Sequence, residues 1–176
     1  MVTSLARIED AKWIFAGRHA DGNGFAAVYS PLDAEIERLP GANVRAFLSC
    51  AGLWDRATGM ATGADGAVIW RQGLLVTNET VSGGHDLSAC GIDAVGRGWA
   101  ASAGKIWLRR TATVSARAMT TARWDCIWDE PRWTMPIVSL FADLGVVIGM
   151  TAEGGVIEGR VLKATLIDDA DVVDAH

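Results

Sequence analysis

The sequence predicts an all-β fold, a small propeller-like array of about four antiparallel units with four strands each. Twenty glycines and eight tryptophans among 176 residues favour short strands and tight turns over long helices. Half of the residues are hydrophobic, which is enough to bury a core. A glycine followed by an apolar strand recurs four times, and the period of about 40–50 residues is typical of propeller blades.

Each unit is predicted to contain four strands, of which the glycine strand is the third. The third strands are residues 24–29, 66–71, 104–109 and 154–158. The second strands are residues 13–16, 58–61, 98–101 and 146–149. The first strands are residues 5–11, 44–51, 87–94 and 137–142. The fourth strands are residues 34–39, 74–77, 123–128 and 161–166.

These strands divide a single domain, residues 1–176, into repeat units and a tail. The units span residues 4–41, 42–84, 85–134 and 135–167, and residues 168–176 form an acidic tail. One four-stranded sheet has two faces to cover, so neighbouring units must stack to bury both of them. Asp65 and Gly66 predict a tight hairpin between the second and third strands. A β-sandwich or a curved antiparallel sheet is the alternative, and closure of the ring within one chain stays open.

Two of the hairpins resemble blades of known propeller families. Residues 62–70 (TGADGAVIW) and 98–107 (GWAASAGKIW) resemble blades of bacterial-neuraminidase-repeat and photosystem-assembly-type propellers. The resemblance lacks the Asp-box, because Asp65 stands directly beside Gly66. It does not imply sialidase activity, since that chemistry uses a tyrosine nucleophile and the only tyrosine, Tyr29, is predicted to lie within a strand.

The charge distribution argues against a nucleic-acid partner. The net charge is −5, and four of the 21 acidic residues lie in the tail, so the rest of the chain is nearly neutral. No apolar stretch approaches the ~20 residues that span a bilayer, and early charges predict that no secretory signal is present. Three cysteines without CxxC spacing predict buried free thiols, no metal site and a reducing cytoplasm.

Catalytic motifs are missing from the sequence, which predicts a protein that is not an enzyme and needs no cofactor. There is no nucleophile elbow, phosphate-binding loop or zinc-protease signature. Asp93 and Asp143 fall at matching places near the ends of first strands, which leaves a hydrolase with paired carboxylates as the weakest hypothesis. His85 and Asp86 are assigned to a linker between units.

The strongest functional signal is an aromatic and charged segment near residue 130. Strand alternation predicts that Trp124 and Trp128 share one face of a strand. Tryptophan, arginine and carboxylates together are typical of protein interfaces and of sugar-binding platforms, although aromatic residues also fill the space between blades. The predicted partner-binding residues are Trp124, Asp125, Trp128, Asp129, Glu130, Arg132 and Trp133.

Two functional hypotheses follow from this segment. The first is a non-enzymatic protein-binding module, with an immunity or antitoxin-like inhibitor of a basic toxin domain as its most specific form. Size and charge suggest that form, because carboxylates steer association with a basic partner. The alternative is a lectin-like propeller that stacks sugars on the tryptophans. Self-association into a homodimer is a further open alternative.

Overall fold

The computed structural model describes residues 1–41, 44–83, 85–112, 121–143 and 146–160. Within these ranges the chain forms four antiparallel sheets. Unit 1 contains β1 (Val2–Glu9), β2 (Lys12–Arg18), β3 (Gly24–Ser30) and β4 (Glu35–Arg38). Unit 2 contains β5 (Phe47–Leu53), β6 (Thr58–Gly63), β7 (Ala67–Gln72) and β8 (Leu75–Thr80). Unit 3 contains β9 (Ala89–Ile92), β10 (Gly98–Ser102), β11 (Lys105–Ala112) and β12 (Thr121–Asp129). Unit 4 contains β13 (Ile137–Asp143), β14 (Val146–Thr151) and β15 (Val156–Arg160).

The predicted all-β, propeller-like array is confirmed. Strand order in every sheet follows chain order, and the first strands of successive units lie next to each other, β1 beside β5, β5 beside β9 and β9 beside β13. The predicted fourth strand of unit 4 (161–166) and the acidic tail (168–176) lie outside the described residues. Among the described residues, no helix has the length and hydropathy needed to cross a membrane.

The core consists of three clusters, one at each junction between neighbouring units. The first packs Ile14 and Val28 of unit 1 against unit 2, and the second packs Trp70 of unit 2 against unit 3. The third packs Trp99 of unit 3 against Leu140 of unit 4. Units 2 and 3 therefore cover both of their faces, which is the stacking that a four-stranded sheet requires.

The same cross-strand rows recur in every unit, which shows the repeat in three dimensions. We call the face that a unit turns toward the next unit its forward face, and the opposite face its backward face. The forward rows are Ser4–Ala16–Ala26, Ser49–Thr62–Val68, Ala89–Ala101–Ile106 and Ser139–Met150–Val156. The backward rows are Leu5–Phe15–Ala27, Cys50–Ala61–Ile69, Cys90–Ala100–Trp107 and Leu140–Gly149–Ile157.

A register shift at the beginning of the first strand keeps these rows equivalent. It occurs immediately before Ser4, Ser49 and Ser139 in units 1, 2 and 4. The serine oxygens then contact the next unit: the backbone N–H of Cys50 donates to Ser4 Oγ at 3.0 Å, and Cys90 Sγ lies 3.6 Å from Ser49 Oγ. At each junction between units, the small residue at the first position of the forward row lies opposite the larger residue at the first position of the next unit's backward row.

Burial makes two of the three cysteines chemically inert. Loss of hydration raises the pKa of the Cys50 thiol to about 11 and that of Cys90 to about 12. Both thiols stay protonated near neutral pH, and only the thiolate is a strong nucleophile. Cys126 is exposed, and all three cysteines are free, so the expectation of buried thiols is confirmed for Cys50 and Cys90 and is wrong for Cys126.

The hairpin between β6 and β7 has the predicted conformation. Asp65 has φ +58° and Gly66 has φ +76°, a pair of left-handed residues typical of tight hairpins. A Cβ atom on Gly66 would overlap the backbone carbonyl oxygen of Val81. Glycine is therefore required at position 66 for two reasons. Its backbone has a positive φ, and the chain that leaves β8 approaches too closely to leave room for a side chain.

We expect Gly66→Ala to cost at least about 2 kcal/mol more folding free energy than Gly73→Ala. Gly73 also has positive φ (+58°), but no described atom lies within 4 Å of the point that a Cβ atom would occupy, so it is a matched control for backbone strain alone. Chemical denaturation of the two variants measures the difference. Equal midpoints would show that the contact with Val81 relaxes without cost.

Candidate functional site

Four of the predicted partner-binding residues lie in or beside one tight turn between units 3 and 4. The backbone N–H of Trp133 donates to the carbonyl of Glu130 at 2.9 Å, and Pro131 occupies the position of the turn that its fixed φ suits. The N–H of Glu130 donates to the carbonyl of Gly104 at 2.8 Å, which attaches the turn to the β10–β11 hairpin. Glu130, Arg132 and Trp133 are therefore held at the end of the array where units connect.

Glycine at position 104 is required for this attachment. A Cβ atom there would lie 2.7 Å from the carbonyl oxygens of both Glu130 and Trp133. Asp129 precedes the turn, and its Oδ2 lies 3.0 Å from Lys105 Nζ on the neighbouring strand. The β10–β11 hairpin and the turn are thus held together, and they carry Lys105, Asp129 and Trp133 close to one another.

Charged residues from units 2 and 3 extend this surface toward the first strands. Arg45 Nη2 lies 3.2 Å from a carboxylate oxygen of Asp65 and 3.2 Å from one of Asp86. The two carboxylates raise the pKa of the Arg45 guanidinium, with the hydrogen bond from Arg45 to Asp65 as the largest cause. Asp86 Oδ1 also accepts the backbone N–H of Asp65, so the charged group is tied to the hairpin.

Two adjacent depressions connect the charged group to the aromatic turn. One, of about 450 Å³, is lined by Lys105, Asp129 and Trp133, and the other is lined by Arg45 and Asp86. His85 and Ala103 line both, which makes the surface continuous. We call it the loop-end surface, and it comprises Arg45, Asp65, His85, Asp86, Lys105, Asp129, Glu130, Arg132 and Trp133.

Trp124 does not belong to the loop-end surface, because it fills the junction between units 2 and 3. Only 9% of its surface is exposed, and its indole N–H donates to Glu79 Oε2 at 2.9 Å. Glu79 also binds Arg109, whose Nη2 lies 2.6 Å from Glu79 Oε1 and whose guanidinium carbon lies 4.1 Å from the centre of the Trp70 ring. Trp124, one of the predicted partner-binding residues, is thus part of a buried network between units.

The expectation that Trp124 and Trp128 share a face of their strand is wrong. A β-bulge in β12 places Trp124 opposite Arg109 but Trp128 opposite Ile106, so strict alternation is lost between them. Trp128 consequently packs toward unit 4, where its ring meets Trp133 edge-on at a centroid distance of 6.5 Å. Asp125 lies within the sheet, and its carboxylate oxygens are 2.7 Å from Arg110 Nε and Arg123 Nε.

Asp93, one of the two carboxylates considered for acid–base chemistry, has a structural role. It is buried, and Arg97 Nε and the indole N–H of Trp99 donate to its Oδ2 at 2.7 and 3.1 Å. Its Oδ1 accepts two backbone N–H groups, from Val95 and Arg97. Within the described ranges, no three His, Cys, Asp or Glu side chains are grouped so that they could hold a metal ion.

Five contributors to the surface were not predicted as site residues from the sequence: Arg45, Asp65, His85, Asp86 and Lys105. Arg45 carries no local motif, and its partners Asp65 and Asp86 are 20 and 41 residues away along the chain. His85, assigned to a linker, joins the two depressions. Sequence reasoning also overlooked Trp54, which lies in the connection between β5 and β6, at the opposite ends of the strands from the loop-end surface. This residue is 60% exposed.

Comparison with known proteins gives a fold relative. No protein-family model and no curated protein sequence matches the chain. The crystal structure of the computationally designed Ika4 protein is similar, with a TM-score of 0.64, 13% sequence identity and coverage of 92% of both chains. At this identity the similarity concerns the fold alone. The resemblance to neuraminidase-repeat and photosystem-assembly blades stays a prediction.

Proposed function

We propose that the chain is a non-enzymatic protein-binding module that binds its partner through the loop-end surface. The observation that supports the proposal is the continuity of that surface, in which Trp133 and Arg132 lie beside ion pairs contributed by units 2 and 3. Aromatic residues and arginine are enriched at protein interfaces, and a polar rim around an aromatic anchor is typical of them. The compartment we expect is a reducing cytoplasm.

The charge pairing within the chain changes the kind of partner that we expect. Asp129 is paired with Lys105, Asp125 with two arginines, and Asp65 with Arg45. Among the residues of the loop-end surface, three basic side chains (Arg45, Lys105 and Arg132) lie beside four acidic ones (Asp65, Asp86, Asp129 and Glu130), so the charge is nearly balanced rather than strongly negative. The antitoxin hypothesis therefore rests on size and net charge, and the proposal itself requires only a protein partner that accepts a mixed aromatic and charged surface.

Sugar binding, the alternative, requires an indole with an open face. Trp124 is buried, and the rings of Trp128 and Trp133 meet at 70° with the edge of one against the other. The burial of Trp124 and the partial burial of Trp128 and Trp133 favour the protein-binding proposal. A glycan array with the wild-type chain tests the alternative, and specific sugar binding that Trp133→Ala abolishes would replace the proposal.

The test compares three forms of the full chain as immobilised bait for proteins from the native host. We expect Trp133→Ala to weaken capture of the main partner by about 2 kcal/mol, as hot-spot residues do, while unfolding stability changes less. Trp54→Ala, at the opposite end, serves as the matched control and is expected to capture the partner like the wild type. Equal capture by the Trp133 variant, or capture of no protein by the wild type, contradicts the proposal.

A further inference from the structure

Units 1 and 4 are the first and last units of the array. Among the described residues, no unit packs on the backward face of unit 1 or on the forward face of unit 4, whereas the equivalent faces of the other units are covered. The first residue of the backward row is Cys50, Cys90 or Leu140 in units 2 to 4, and each is at most 8% exposed because the preceding unit packs on it. The equivalent residue of unit 1, Leu5, is 60% exposed. The position is apolar in all four units, but in unit 1 none of the residues that the structure describes covers it.

The forward face of unit 4 is exposed at positions that are buried on the forward faces of units 1 to 3. The middle and last positions of the forward row are buried in units 1 to 3 by the unit that follows. These buried residues are Ala16, Thr62 and Ala101 in the middle position and Ala26, Val68 and Ile106 in the last. In unit 4 the same positions are held by Met150 and Val156, which are 47% and 62% exposed, and Phe141 beside them is also exposed.

Both uncovered faces carry apolar side chains that solvent reaches, namely Leu5 and the partly exposed Phe15 in unit 1, and Phe141, Met150 and Val156 in unit 4. Phe15 follows Leu5 in the backward row of unit 1, and it packs edge-to-face on Phe25 at 5.9 Å. Exposed apolar side chains that are contiguous, rather than scattered singly, mark association sites. β1 and β13 do not pack against each other as the other first strands do, so the two faces do not cover one another within one chain.

We infer that a second copy of the same chain covers these faces, with the forward face of unit 4 of each copy packed on the backward face of unit 1 of the other. Two identical junctions related by a twofold axis then close a ring of eight units. The junction repeats the three that already exist inside the chain, so Ser139 takes the place of Ser4 or Ser49, and Leu5 takes the place of Cys50 or Cys90. Closure by symmetry leaves no face free for further growth.

The first test is the mass of the full chain in solution, measured by light scattering after gel filtration across a concentration series. We expect twice the chain mass of 18.7 kDa. Leu5→Glu and Met150→Glu each place a charge in both junctions and are expected to give a folded monomer, as judged by an unchanged β-sheet circular dichroism spectrum. Leu74→Glu, at an exposed leucine outside both faces, is the matched control and should stay dimeric.

The second test is a disulfide that only the proposed junction can form between chains. Ser4 Oγ and Cys50 Sγ lie 3.3 Å apart at the first internal junction, so cysteines at the equivalent positions 139 and 5 should be close enough to oxidise. Leu5→Cys is compatible with packing there because Cys50 and Cys90 occupy this position in units 2 and 3. Cys126→Ser removes the exposed thiol, while the buried native cysteines stay protonated.

The expected result is a covalent dimer from Leu5→Cys/Ser139→Cys after oxidation, and none from either single variant. Three results would overturn the inference. A wild-type monomer at all concentrations would show that another element covers the faces. A disulfide within one monomer would show that four units close the ring, and a ladder of larger oligomers would show head-to-tail growth without closure.

Discussion

Trp99→Ala is expected to cost about 3–5 kcal/mol of unfolding free energy, the usual range for removing a large buried aromatic side chain. Trp99 is fully buried between units 3 and 4, in the cluster that includes Leu140. Its indole N–H also donates to the buried carboxylate of Asp93. The substitution therefore leaves a cavity at the junction and removes one donor from a buried charge. Urea denaturation followed by circular dichroism measures the loss.

Two further variants separate packing from hydrogen bonding in this result. Trp99→Phe keeps most of the ring volume but loses the N–H, so it should cost less, about 1–3 kcal/mol. Trp54→Ala removes an exposed tryptophan from the opposite end and should stay within about 0.5 kcal/mol of the wild type. Similar losses at Trp54 and Trp99 would contradict the assignment of Trp99 to a junction core.

Glu79→Ala is expected to destabilise the fold by about 3–5 kcal/mol, because it leaves the charge of Arg109 buried without its partner. Arg109 and Glu79 side chains are each 9% exposed, and two pairs of their atoms lie within 3 Å. The indole N–H of Trp124 loses its carboxylate acceptor in the same substitution. The network joins units 2 and 3, so its loss should reduce the stability of the whole array, and urea denaturation measures the reduction.

The matched controls for Glu79 are one conservative and one exposed substitution. Glu79→Gln keeps an oxygen acceptor for Trp124 and the shape of the side chain, so its loss should be smaller than that of Glu79→Ala. Glu158→Ala removes an exposed glutamate that lies 3.8 Å from Arg160, and it should change stability by less than about 0.5 kcal/mol. If Glu158→Ala and Glu79→Ala cost the same, the network does not stabilise the junction.

Much of the fold could be predicted from the sequence, because local chemistry specifies strands and hairpins. Alternating and apolar runs identified the strands, and the glycine at position 66 identified a hairpin whose residues have positive φ. These features depend on side-chain size and backbone freedom over a few residues, which a sequence displays directly.

The candidate site could be predicted only in part. The segment from Trp124 to Trp133 was found because tryptophan, arginine and carboxylates stand close together in it. The sides on which Trp124 and Trp128 lie were not predictable, since a single extra residue in β12 reverses all later side chains. Nothing near Asp125 in the sequence shows that two arginines neutralise it, because one of them, Arg110, lies on the neighbouring strand.

By itself the sequence determined the strand class, the order of the four units, the hairpin at Gly66 and the position of the aromatic and charged segment. The tertiary structure alone decided that Trp124 packs inside a junction, that Arg45 meets Asp65 and Asp86, and that Leu5 lies on a face that no described unit covers. The reason is physical. Strand formation and turns follow from interactions between near neighbours in the chain, whereas burial and charge pairing depend on which units come together.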